Sequence, residues 1–484
     1  MRDALGRLAE WSESKRARNT VLAGILLYGI AFYLLGSAVH IPGFQSRQKT
    51  TGLSAPQAER FVYFQYYLGL FPIATMNPSP ELTYEGALNE LKQRGSSLIM
   101  EVEHWSRLGE HARIWTYLPN AWLRGSAKNP SIRLFNTLVF ITCLLTLYFG
   151  FCSAGMPLIG TILTAMVAFT PYFIYEIFGR QNVFGLLGSG FFIILGLLSK
   201  SVLKGASTTM LLIITVALGA MVGFLSEIRN ETIILTASIM ALILFAKKQL
   251  PVFKITAIVF ALIAVFATKA GIRVWFEKEY QEASLAVQEN GGHVYNGKRV
   301  EGHRFWHPVF CGLGDFDTKY GYQWDDRVAY AYAVPLLKEK YQLDVKWSGK
   351  FHTDNYYDAD SIYYVKFDEI PEYETLMREK VMTDITSDPW WYLEILLKRL
   401  IALLTYTIPL PLMGWLIFPA LWIIIKEKDT TWMAFLLAAL PLAATPLMIY
   451  AGDGATYNCT YAFILIAFFI SYYLKNGIHK KRPA

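Results

Sequence analysis

Cysteine is scarce. Cys143, Cys152, Cys311 and Cys459 are the four in the chain, and no two have the close spacing of a zinc or redox motif. Cys143 and Cys152 fall at an apolar run, whereas Cys311 and Cys459 fall in polar surroundings, so a Cys311–Cys459 disulfide is the pairing left open. Charge is sparse too, at 17% of residues, and the formal excess of +7 is spread over short loops and termini. Without a basic stripe, that excess does not describe a nucleic-acid surface. The chain also lacks a Walker loop, a nucleophile elbow and a dinucleotide fingerprint in a strand-turn-helix setting. Internal repeats and low-complexity tracts are missing as well, which argues against a symmetric transporter. Its first apolar run has no small-residue cleavage site after it, so it reads as an anchor helix and not as a removable signal.

What the chain has in excess is long apolar sequence, and 54% hydrophobic content leaves no room for an ordinary soluble enzyme. Apolar runs lie at 21–41, 134–151, 158–175, 183–198, 208–225, 232–245, 252–268, 409–425, 432–450 and 461–474. They approach the ~20 residues a helix needs to cross hydrocarbon, which predicts a polytopic α-helical membrane protein with about ten spans. Basic residues recur after alternate crossings: Arg2, Arg7, Lys15, Arg16 and Arg18, then Lys200 and Lys204, then Lys247, Lys248 and Lys254. Lys426 and Lys428, and finally Lys475, Lys480, Lys481 and Arg482, continue the pattern. By the positive-inside bias both termini are expected in the cytoplasm, in a bacterial inner membrane.

Two long polar segments, 42–133 and 271–391, then share the outer side. The expected modules are 1–270, holding the first loop; 271–391, a soluble lobe; and 392–484, a surface helix with the last spans. Helical periodicity at 59–70, 84–94 and 100–123 predicts interfacial helices in the first loop. In the second, 326–339 reads as a helix and 361–367 alternates as a strand, which predicts a small mixed α/β lobe. Asp388-Pro389 opens a further surface helix, with Trp390, Trp391 and Tyr392 expected at headgroup level.

Three groups of residues are candidates for chemistry. Glu101 and Glu103 are carboxylates at the start of the last interfacial segment, placed to act as a general base, or else a solvated acidic turn. Arg180 and Arg229 lie in outer turns where the positive-inside bias gives them no role, so a lipid phosphate is a natural partner. Headgroup snorkelling for Arg180 and a plain Glu227–Arg229 contact are the alternatives. The third group, His303, Trp306, His307, Tyr320, Tyr322, Trp324 and Asp326, mixes aromatic faces with polar groups as a sugar pocket does. The same aromatics equally suit the core of a small lobe. His303 and His307 are four apart, but Pro308 and the absence of an evident third ligand argue against zinc.

The order of one span, a long outer loop, a run of short-looped spans, a late outer lobe and final spans resembles GT-C glycosyltransferases, such as lipid A aminoarabinose transferases and protein O-mannosyltransferases. The segments that carry the likeness are Tyr117-Leu118-Pro119 to Leu123, Ser131-Ile132-Arg133-Leu134, Pro171-Tyr172-Phe173 to Arg180, and Gly223-Phe224-Leu225-Ser226 to Thr232. The resemblance implies inverting transfer of a sugar from a polyprenyl-phosphate donor to an extracytoplasmic glycan, lipid or protein acceptor. It assigns the base to Glu101 or Glu103 and the phosphate to Arg180 and Arg229. The family's early acidic pair after the first span is missing here. The implied partners are the lipid-linked donor, the acceptor and membrane lipid, with no nucleic acid. No cofactor is required, and dependence on a divalent metal stays open. A lipid or glycan transporter or flippase, and a membrane-anchored glycan-binding protein, are the competing readings.

Overall fold

The computed structural model describes residues 2–35, 111–125, 132–174, 184–289, 305–349, 356–359, 363–407, 409–448 and 455–479. Its order begins with helices α1 (Arg2–Glu13), α2 (Lys15–Leu35), α3 (His111–Arg124), α4 (Arg133–Ser153) and α5 (Pro157–Phe169). Next come α6 (Phe184–Leu203), α7 (Thr208–Ile228), α8 (Leu235–Leu244) and α9 (Pro251–Glu289). The lobe holds α10 (Trp306–Leu313), α11 (Asp326–Tyr341), β1 (Val345–Lys346), β2 (Tyr356–Ala359), β3 (Tyr363–Lys366) and α12 (Pro371–Ser387). The chain returns through α13 (Pro389–Thr405) to α14 (Ile417–Lys426), α15 (Thr430–Met448) and α16 (Ala455–His479).

Six of these helices are long and apolar enough to cross a membrane. Three of the expected ten runs instead form shorter apolar helices, each for a visible reason. The 158–175 run breaks at Thr170-Pro171, because proline disfavours helix at the residue before it, and α5 stops after 13 residues. The 232–245 run begins in a 3-10 turn, Asn230–Ile234, and the 409–425 run in another, Met413–Leu416.

One seam of the bundle shows how closely these helices approach. A β-carbon on Gly219 would lie 2.4 Å from the Ala261 carbonyl oxygen, and one on Gly223 2.6 Å from that of Val265. Lipid supplies no hydrophobic force between helices, so close backbone contact of this small-xxx-small kind is what holds α7 on α9. The two run parallel: Thr208 meets Gln249 at one end, and Ser226 meets Lys269 at the other. Elsewhere Ser238 donates to the Ala438 carbonyl at 2.7 Å, tying α8 to α15. Lys247 donates to Thr431, and Lys475 pairs with Glu427, so these basic residues sit at the end of the bundle opposite the lobe.

The boundary expected at 270/271 falls within one helix. α9 runs 39 residues without interruption, about 58 Å at helical rise. The mixed α/β expectation is met by α10, α11 and α12 with an antiparallel sheet ordered β1-β2-β3, in which Tyr357 pairs Val345 on one side and Val365 on the other. The lobe's core is aromatic: Phe310, Tyr322, Tyr330, Phe367 and Tyr373 are all buried. Cys311 is buried there as a free thiol, and the Cys459 side chain lies outside the described residues.

The segment opened by Asp388-Pro389 is a helix, but its residues split between two environments. Trp390 is exposed, whereas Trp391 turns inward and stacks on Tyr322 at 5.7 Å. The expectation that both indoles lie at headgroup level is therefore corrected: burial against the lobe core takes one of them. Farther along α13, Arg399 is 1% exposed. Its guanidinium donates to the Gly312 carbonyl at 2.6 Å, the Asp315 carboxylate at 3.2 Å and the Leu447 carbonyl at 3.0 Å, joining lobe, connecting helix and bundle.

Removing one side of a buried pair of this kind costs about 3–5 kcal/mol, because the other charge stays buried alone. Arg399→Leu should lower the melting temperature in detergent and speed proteolysis of the lobe, and Arg399→Lys should rescue little, since one ammonium cannot reach three acceptors set in a fork. A lysine variant as stable as wild type would show that the fork geometry is unimportant. A second prediction concerns acid. Lys319, the α13 capping N–H of Trp391 and Tyr320 all hold Asp388 in its charged form, so its carboxyl is depressed below the ordinary value. The resulting stability is present in full above about pH 4 and is lost as pH falls through the depressed value. Asp388→Asn keeps a cap but should lose that increment at pH 7, so its melting temperature should fall less than that of wild type on acidification.

Candidate functional site

The C-terminal end of α7 and the middle of α9 bring five charged side chains together. Glu227, with a side chain 2% exposed, accepts from Lys269 at 2.9 Å and faces the Arg273 Nε at 3.3 Å. Lys269 also donates to the Ser226 hydroxyl at 3.0 Å. Next in the chain, Arg229 is buried and pairs with Glu231 at 2.9 Å. Lys269 and Arg273 are four apart on α9, which puts both on the face that the Gly219/Gly223 seam presses against α7. Glu227 is therefore placed by packing, and its two cationic partners come from a helix more than 40 residues later.

The network opens to solvent through Arg273, whose side chain is 57% exposed. Beside it, Trp115 of α3 stacks on Phe224 with planes 6° apart and meets Trp275 at 5.1 Å. α3 is helical over the described part of the segment expected at 100–123: Thr116, Leu118, Asn120 and Ala121 face inward, while Trp122 and Leu123 are exposed. Charged donors, an aromatic wall and an amphipathic helix thus meet where spanning helices end. That combination suits an anionic headgroup whose apolar part stays in lipid.

The sequence candidates are distributed unevenly. Glu101, Glu103, Arg180 and His303 lie outside the described residues. Arg229 is within the network, directed at Glu231. Lys269, Arg273 and Glu227's role were missed; the signal was a lysine and an arginine four apart at the end of a span, a place where an uncompensated charge is expensive.

The aromatic group in the lobe divides between core and surface. Tyr322 is fully buried, donates to Asp384 at 2.8 Å and packs on Phe310, and burial pushes its hydroxyl pKa up. His307 is 1% exposed. Both rings are enclosed by the lobe core and neither turns a face to solvent. Tyr320 at 38% and Trp324 at 50% exposure keep accessible rings, and Trp306 is half-buried with its backbone N–H on Glu374. Asp326 faces His307 at 3.0 Å.

Glu227→Leu should strip its carboxylate from two cations and lower stability by about 3–5 kcal/mol, whereas Arg273→Ala, at a largely exposed position, should cost less than ~1 kcal/mol. Denaturation in matched detergent compares them, and equal losses would contradict the burial asymmetry of the pair. Against family models, curated proteins and solved structures, the chain matches none.

Proposed function

We propose that this membrane protein is a glycosyltransferase that moves a sugar from a polyprenyl-phosphate donor to an extracytoplasmic glycan, lipid or protein acceptor. The observation that carries the reading is the Lys269–Glu227–Arg273 cluster at the membrane edge, with Arg273 open to the outside and Arg229 close by in sequence. A phosphate-linked anomeric carbon is already activated, so the protein has to orient two substrates, accept one proton and stabilise a departing phosphate.

In this scheme the acceptor oxygen attacks the anomeric carbon from the face opposite the phosphate, and the carbon–oxygen bond to phosphate breaks with its electron pair leaving on the phosphate. The acceptor's proton passes to a carboxylate, the role the resemblance gives to Glu101 or Glu103. Arg273 meets the phosphate charge as it develops, while Lys269, held by Glu227 and Ser226, fixes the field behind it. Fixed charges at a lipid boundary stabilise such an anion more strongly than they would in water. The polyprenyl chain would lie against the exposed apolar faces of the helices, with Trp115 and Trp275 beside the headgroup.

Purified protein incubated with radiolabelled polyprenyl-phosphate sugars and a panel of acceptors tests the proposal. Transfer is expected, with kcat/KM falling by about 10²–10³ in Arg273→Ala, the loss typical of one preorganised donor on a developing oxyanion. Thermal protection by the lipid-linked sugar without turnover would favour a flippase or a glycan-binding protein. Neither protection nor transfer across the panel would remove the lipid-phosphate reading altogether.

A further inference from the structure

The lobe contains a second cluster that the transfer scheme does not use. His307 and Cys311 are four apart on α10, so both side chains leave the same face of one helix, and Asp326 is the first residue of α11. The His307 Nε2 lies 3.0 Å from the Asp326 Oδ1 and 3.7 Å from the Cys311 Sγ, and that sulfur lies 3.8 Å from the same carboxylate oxygen. Tetrahedral zinc with ordinary bond lengths to nitrogen, sulfur and oxygen sets its ligand atoms about 3.3–3.6 Å apart. The three atoms already form a triangle of nearly that size. We propose that His307 Nε2, Cys311 Sγ and the Asp326 carboxylate bind one zinc-class ion, which braces α10 against α11 inside the lobe.

The surroundings support such a site in three ways. His307 Nδ1 lies 2.6 Å from the Tyr373 hydroxyl, the outer contact that orients a ligating imidazole and sets which nitrogen is available. His307 and Cys311 are 1% and 2% exposed, whereas the Asp326 side chain is 23% exposed, so an ion reaches the triangle from the carboxylate side. Mixed imidazole, thiolate and carboxylate donors suit zinc or cobalt and disfavour magnesium or calcium, which prefer oxygen. Three protein donors also leave a fourth position for water.

Without the ion, the same atoms satisfy one another. The His307 Nε2–H and the Cys311 thiol both face the Asp326 Oδ1. On binding, the thiol proton leaves to solvent, and the imidazole stays neutral by carrying its one proton on Nδ1 instead, where the Tyr373 oxygen accepts it. The ion thus replaces two hydrogen bonds to Asp326 with three coordinate bonds, and its binding energy adds to the stability of the lobe.

The full-length chain in detergent, stripped with chelator and then equilibrated with Co²⁺, decides the matter. One cobalt per chain is expected, with the absorption of a tetrahedral centre and a sulfur-to-cobalt charge-transfer band. Cys311→Ser should abolish the charge-transfer band, and Asp326→Asn should weaken uptake at least about tenfold. Zinc should raise the melting temperature of wild type and not of Cys311→Ser. Uptake well below one ion per chain by folded wild type would overturn the proposal, as would a charge-transfer band that survives in Cys311→Ser. Because the wild-type stoichiometry needs no variant, it tests the site even where a variant fails to fold.

Discussion

The arrangement of the whole molecule depends on one guanidinium. Arg399 enters a nearly water-free junction and distributes its donors over the Gly312 carbonyl and Asp315 of the lobe and the Leu447 carbonyl of a spanning helix. A buried charge is tolerated only when its hydrogen-bonding capacity is met in place, so the three acceptors must come together for this conformation to exist. The planar fork then fixes distance and direction at once. α9 leads the chain out toward the lobe, α13 leads it back, and Arg399 closes the circuit where the return path meets the bundle.

That closure relates the two polar centres. One lies where α7 ends against the middle of α9, with Glu227 holding Lys269 and Arg273; the other lies in the lobe, where His307, Cys311 and Asp326 face one another. Both follow the same logic. A polar group is carried into a low-dielectric place by helix packing and is stabilised by partners that packing delivers from elsewhere in the chain. The first centre lies where two apolar spans end and keeps one cation more than half exposed. The second is enclosed by the aromatic core of Phe310, Tyr330 and Tyr373 and touches solvent through a carboxylate.

Several features were legible in the residues. The 134–151 and 208–225 runs became α4 and α7 because apolar helix formers in lipid have no competing conformation. The 326–339 helix and the one opened by Asp388-Pro389 both begin where expected, the first capped by Asp325 and the second by Asp388. The 361–367 alternation found its strand at Tyr363–Lys366. Tyr322 and His307 were harder, because an aromatic or imidazole in a polar loop reads the same whether it faces a ligand or a core. Burial alone separates those readings.

By itself, the sequence determined what depends on local chemistry: which segments form apolar helices, where helices start, and which segment forms a lobe. Hydropathy and capping act over a few residues, so a linear string contains them. Only the tertiary structure decided that Glu227 meets Lys269 and Arg273, that Arg399 bolts lobe to bundle, and that Asp326 completes a triangle with His307 and Cys311. Those pairings join residues up to 87 positions apart, and they depend on interhelix approach set by contacts such as Gly223 on Val265, which no local pattern encodes.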